Sequence, residues 1–147
     1  MNEEILKVFD ELGFKLDAVE GLGYEFSYEG TTLLYLQQAD DETFLSIAVP
    51  NVCRLDGGDE LELYEIMDRV NSSLKYTKSY RLGDSMWIFY ERELLGNENL
   101  LQLVSTMIVY LDSAHDFAIK VINEKKAAEQ NGDADSVEDV TEDEDNE

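Results

Sequence analysis

The sequence predicts an α+β domain in the order helix, three strands, helix, two strands, helix (α-β-β-β-α-β-β-α). Three observations carry this. From Leu100 the apolar residues Val104, Met107, Leu111, Ala114, Ala118 and Val121 recur in steps of four and three, the spacing of one helix face. Upstream, stretches such as Tyr24–Tyr28 alternate large apolar with polar residues, the spacing of a strand. And 147 residues with 44% hydrophobic and 10% aromatic content suffice for one cored domain but are short for two.

The first helix is expected after a cap at Asn2, with Ile5, Leu6, Phe9 and Leu12 as its stripe and Gly13-Phe14 as its stop. Tyr24–Tyr28 and Thr31–Gln37 follow as strands around Glu29-Gly30, where glycine supplies the positive φ of a tight hairpin. Ala39-Asp40-Asp41-Glu42 turns the chain into a third strand, Thr43–Val49, which Pro50 is expected to close. Asp56-Gly57-Gly58-Asp59 reads as a loop. Asp59, with Glu62 three residues on, resembles a capping box for a second helix whose face is Leu63, Ile66, Met67, Val70 and Leu74. Next, Tyr76, Tyr80 and Leu82 alternate with Thr77, Ser79 and Arg81 up to a turn at Gly83-Asp84, and Ser85–Glu91 returns as the partner strand. The last helix is expected from a cap at Asn97, with Leu101, Ile108 and Ile122 widening one flank and Leu103, Tyr110 and Phe117 the other. So broad a face suits a sheet better than the narrow seam of a coiled coil.

Charge limits the possible partners. The net charge is −23, which opposes nucleic acid and anionic membrane surfaces. Ten of the 34 acidic residues lie in 129–147, leaving 24 acidic against 11 basic residues in 1–128. The expected division is therefore a single domain over 1–128 and an acidic tail over 129–147. That tail offers only Val137 and Val140 as large apolar residues and is expected to be disordered. No apolar run approaches the ~18 residues of a membrane span, the start MNEEILKVFDELGF has acidic residues where a signal peptide needs basic ones, and Cys53 is the one cysteine. The expected location is the cytoplasm.

Little in the chain suggests catalysis. One histidine and one cysteine, 62 positions apart, with no HExxH, CxxC or calcium-loop pattern, predict no metal site and no cofactor. His115, with Asp112 and Asp116 nearby, is a general base on paper and an ordinary core-bordering histidine bonded to an aspartate by default. Cys53 beside Arg54 lacks a second cysteine or an adjacent histidine. Gly21-Leu22-Gly23 leads into a strand, unlike a dinucleotide loop. Arg69, Lys75, Lys78 and Arg81 make a basic strip that either receives an acidic peptide or pairs with surface carboxylates.

The unusual feature is apolar surplus. Leu33 to Leu36, Phe44 to Val49 and Met86 to Tyr90 put large side chains on both faces of their strands, and three helices must either cover both faces or leave one for a partner. The residues expected at such a partner surface are Leu34, Leu36, Tyr76, Lys78, Tyr80, Trp87 and Phe89. The alternative is a small-molecule or enzyme pocket between sheet and helices around Trp87, Tyr110 and His115.

The element order over residues 2 to 124 resembles the type III secretion chaperone-like fold and, within it, the YbjN family of small bacterial proteins. The local likeness lies in DRVNSSLKYTKSYRLGDSMWIFYERE, where Asn71 follows the helical apolar residues and a tyrosine-bearing hairpin begins, and in the terminal helix NLLQLVSTMIVYLDSAHDFAIKV. The resemblance implies a two-layer sandwich with one antiparallel five-stranded sheet, no catalytic residues and no cofactor. It also implies a dimer that holds a partly unfolded protein, or a regulator. The expected partner is then a protein, basic or partly unfolded, together with a second copy of the chain.

Overall fold

Three helices pack against one face of a six-stranded antiparallel sheet in the computed structural model, which describes residues 2–37, 40–55 and 58–142. The elements are α1 (Asn2–Glu11), β1 (Asp17–Val19), β2 (Gly23–Tyr28), β3 (Thr31–Leu36), β4 (Phe44–Arg54), α2 (Glu60–Ser73), β5 (Lys78–Leu82), β6 (Ser85–Glu93) and α3 (Leu100–Glu142). The strand order is β1-β2-β3-β4-β6-β5, so β1 and β5 are the edges. Two layers around one core match the expected class; the sixth strand corrects the expected five. β1 has only three residues, too few for alternation to reveal, and exists because Asp17 to Val19 pair with Glu25 to Gly23.

Local chemistry explains most boundaries. α1 stops where Gly13 N–H donates to the Asp10 carbonyl and Phe14 N–H to the Phe9 carbonyl, both at 3.0 Å. Asn2 is not the expected cap: it lies inside α1, and its Oδ1 accepts the Tyr35 hydroxyl at 2.7 Å. At the hairpin, Glu29 and Gly30 both take positive φ, the backbone a tight two-residue turn requires. Asp59 caps α2 by accepting from Leu61 N–H. The cap of α3 is Asn99 rather than Asn97, accepting from Gln102 N–H at 3.1 Å; Glu98 meanwhile takes the N–H groups of Leu95 and Gly96 and holds the preceding loop.

Pro50 does not end its strand. β4 runs on to Arg54 through a register shift between Val49 and Cys53, where Asn51 adopts a positive φ and accepts the Ser85 hydroxyl. A bulge is where a strand tolerates a residue that cannot donate to the ladder.

The core joins Ile5, Val8 and Phe9 of α1, Leu63, Ile66, Met67 and Val70 of α2, and the expected stripe of α3 from Val104 to Val121 to one side of the sheet. That side presents Phe26, Leu33, Tyr35, Leu45, Ile47, Val49, Met86, Ile88 and Tyr90. Leu34, Ala48 and Phe89, equally inaccessible, belong to the opposite side and stand outside this core. α3 continues to Glu142, so the backbone of residues 129–142 is helical where the composition predicts no regular structure; Ala127-Ala128-Glu129 propagate the helix without any break. Ala39, Asp56 and Gly57 of the expected turns, and the last five residues of the acidic tail, lie outside the described residues.

Candidate functional site

The candidate site is the sheet face that the helices leave alone, and it follows from strand alternation. On β6, Met86, Ile88 and Tyr90 turn to the helices, so Trp87, Phe89 and Glu91 turn away. Cross-strand partners share a face: Tyr80 opposes Trp87, Lys78 and Ala48 both oppose Phe89, Leu34 opposes Ala48, and Leu36 opposes Ser46. Six of the seven residues expected at a partner surface, Leu34, Leu36, Lys78, Tyr80, Trp87 and Phe89, are thereby gathered on one face.

Aromatic stacking fills the middle of that face. Phe89 lies near-parallel to Tyr80, with centroids 4.3 Å apart, and to Trp87 at 5.9 Å. Its neighbours leave it only 2% exposed, whereas Tyr80 keeps 39% and Leu82 42% of their surface. The face therefore partly roofs itself, and its residual apolar surface is concentrated on β5. A polar clamp interrupts it: Lys78 Nζ meets Glu91 at 2.9 Å, and the buried Ser46 hydroxyl donates to the same carboxylate at 2.9 Å. Glu91 holds the Lys78 ammonium above its usual range, and burial followed by Glu91 pushes the Tyr80 phenol up.

Tyr76 is the seventh residue, and the structure places it elsewhere. It precedes β5 with φ +72°, is 65% exposed, and stacks on Tyr90 at 5.8 Å and on Tyr110 at 5.3 Å, against the helix side of the sheet. The expected strand therefore starts late, at Lys78. From Thr77 through β5 the alternation is also inverted relative to hydrophobicity, for Thr77 and Ser79 are buried and Tyr80 and Leu82 exposed. The reason is Asn71 of α2, which bonds both main-chain groups of Ser79 and draws the small polar side chains inward.

The alternative pocket does not assemble. Trp87 and Tyr110 lie on opposite sides of the sheet, and none of the described clefts contains Trp87, Tyr110 or His115. His115 Nδ1 stands 3.9 Å from Asp116, beyond hydrogen-bond reach, which corrects the expected bond to an aspartate. Asp112 on the same turn is pushed up by burial first and by Asp116 and Glu29 next. Cys53 borders a separate cleft with Ile122 and Lys126, two turns further along α3 than His115. Among the described residues no group of three or more histidine, cysteine or carboxylate side chains could hold a metal ion. No described helix is long and apolar enough to cross a membrane.

Three of the four cations of the basic strip pair with carboxylates. Arg69 meets Glu124 at 3.3 Å, Lys78 meets Glu91, and Arg81 meets Glu60 at 3.1 Å and Asp84 at 3.5 Å. Pairing with surface carboxylates is one of the two expected readings; the individual partners Glu124 and Glu60 are not legible in the sequence because they are distant in the chain from Arg69 and Arg81.

Neither a protein-family model nor a curated protein matches the sequence. Solved structures do. YbjN from E. coli, named as a candidate transcription regulator, superposes with a TM-score of 0.62 at 8% identity, over 85% of this chain and 93% of its own. An uncharacterized protein from Methanothermobacter thermautotrophicus superposes with a TM-score of 0.57 at 18% identity, over 84% of this chain and 97% of its own. At these identities the likeness concerns the fold, which is YbjN-like.

Proposed function

From this YbjN-like fold we propose a non-enzymatic protein-binding module of the cytoplasm, chaperone-like or regulatory, that takes its partner on the helix-free sheet face and works as a homodimer. The observation that carries the reading is the Tyr80–Phe89–Trp87 ladder, an aromatic surface with no helix over it on a chain of net charge −23. Its rim carries the Lys78–Glu91 clamp, so the face is close to neutral at its centre. A partly unfolded segment with exposed apolar residues fits such a surface, and a basic one is additionally drawn by the net charge of −23.

Reduced lysozyme, a basic protein that aggregates when unfolded, supplies the test. The parent chain is expected to slow its aggregation, and the double variant Tyr80→Glu/Trp87→Glu to have lost that effect. Light scattering on the same samples is expected to give twice the 16.8 kDa chain mass for the parent. Equal protection by parent and variant would overturn the assignment of the face.

A further inference from the structure

A second concavity lies away from the helix-free face. It is a cleft of about 500 Å³ where the start of α1, the turn between β1 and β2 and the segment leading into β4 meet. Its size is within the range of small-molecule sites. Ile5 and Leu45, both buried, and Leu94 give it an apolar floor, while Glu20, Asp41 and Glu42 stand exposed at its rim. No lysine, arginine or histidine lines it.

Two tyrosines complete the wall. Tyr35 is buried between Phe9, at 5.3 Å, and Tyr24, at 6.0 Å and near-parallel. Its hydroxyl is committed to Asn2, and burial pushes the phenol up to about 12, so the ring stays neutral. Tyr35 is thus enclosed, and Tyr24 is the ring available to the cleft. Gly23 sets this arrangement: a Cβ there would lie 2.0 Å from the Tyr35 carbonyl oxygen, so only glycine lets β2 approach β3 here. Asp41 is oriented by accepting both the N–H and the hydroxyl of Thr43.

An aromatic wall, an apolar floor and a carboxylate rim without a counter-cation select against anions and offer nothing special to a neutral solute. We infer that this cleft binds an organic cation, an alkylated ammonium group seated against Tyr24 with its apolar body on Ile5, Leu45 and Leu94. The ring quadrupole and the rim carboxylates act on the same charge, and desolvation by the floor strengthens both.

Choline and its neutral isostere 3,3-dimethylbutan-1-ol separate charge from shape. In an NMR titration of the full chain at ~0.15 M salt, where long-range attraction is screened, choline is expected to shift amides of Gly21–Tyr24 and Thr43–Leu45 saturably. The isostere is expected to bind about tenfold more weakly, the size of a partly desolvated cation–π contact. Tyr24→Phe should retain choline binding, while Tyr24→Leu and the exposed pair Glu20→Gln/Glu42→Gln should each weaken it. Equal affinity for the two probes, unsaturable shifts spread over acidic residues generally, or unchanged affinity in both Tyr24→Leu and the glutamine pair would overturn the site.

Discussion

Asn71 of α2 holds both main-chain polar groups of Ser79 on the edge strand β5: its Oδ1 accepts the Ser79 N–H at 2.6 Å, and its Nδ2 donates to the Ser79 carbonyl at 3.1 Å. The Ser79 hydroxyl shares its one proton between the same Oδ1, at 3.1 Å, and the Met67 carbonyl, at 3.3 Å. A side-chain amide thereby stands where a further strand would pair, closing this edge of the sheet to augmentation.

Replacing Asn71 by alanine leaves a buried N–H and a buried carbonyl without partners. The expected loss is about 2–3 kcal/mol of stability, the desolvation cost of orphaned backbone groups. Urea unfolding measures it, and concentration-dependent self-association by size-exclusion chromatography is the expected companion of a reopened edge. A variant within about 0.5 kcal/mol of the parent, the range of neutral surface changes, would show that water serves Ser79 as well.

Gly23→Ala meets both a positive φ of 150° and a backbone oxygen 2.0 Å from the new Cβ. β2 and β3 must separate there, and the expected loss exceeds about 2 kcal/mol because backbone, unlike a flexible side chain, yields only at the expense of ladder bonds. Gly30→Ala, with open space around it, is expected to cost less than Gly23→Ala. Thermal unfolding of the two variants side by side reads the difference.

Tyr76 carries strain and stacking together. At φ +72° it occupies backbone space that disfavours any Cβ, yet its ring rests on Tyr90 and Tyr110. Tyr76→Ala loses the rings and keeps the strain, whereas Tyr76→Gly loses both, so the glycine variant is expected to be the more stable of the two by about 1 kcal/mol. The opposite order in chemical denaturation would mean that the loop relaxes once the ring is gone.

Between α2 and α3, two contacts join opposite charges, Arg69–Glu124 and Lys125–Glu65 at 2.9 Å, while a third sets Glu62 against Glu129. The hydrogen bond that the protonated Glu62 donates to the Glu129 carboxylate, then burial and repulsion, holds the Glu62 carboxyl above its usual range, with Lys125 opposing and Asp59 adding to the rise. A carboxyl raised on folding favours the folded state while protonated, and the benefit disappears as pH rises through the folded-state value. Glu129→Gln supplies a permanent donor. Its stability relative to the parent is expected to be higher at pH 7, by less than about 1 kcal/mol given the exposure of the pair, and the gap is expected to shrink toward pH 4. A gap independent of pH would remove Glu129 as the cause.

Some of this architecture is readable from the chain because it is local. The stripe of α3 needs only a helical period, Asp59 needs only the N–H two residues on, and Glu29-Gly30 needs only two positive φ angles. β1 is hidden because three residues carry no period, and the continuation of β4 past Pro50 depends on Asn51 meeting Ser85, 34 residues away. The inverted alternation of β5 is likewise decided by Asn71 from another element. The cleft at Tyr24 has no continuous sequence signal, since α1, two turns, the neighbouring strands and Leu94 just past β6 contribute to it separately.

By itself the sequence determined the order of the three helices and the five longer strands and, Tyr76 apart, which of the expected partner residues share a side, because backbone periodicity enforces both within a few residues. Which side the helices cover was decided only in three dimensions. Both sides of β3, β4 and β6 carry large apolar groups, so the choice falls to how helix volumes nest over the whole sheet. Nesting placed Ile47, Ile88 and Tyr90 in the core beneath the helices and left Tyr80, Trp87 and Phe89 to stack on one another.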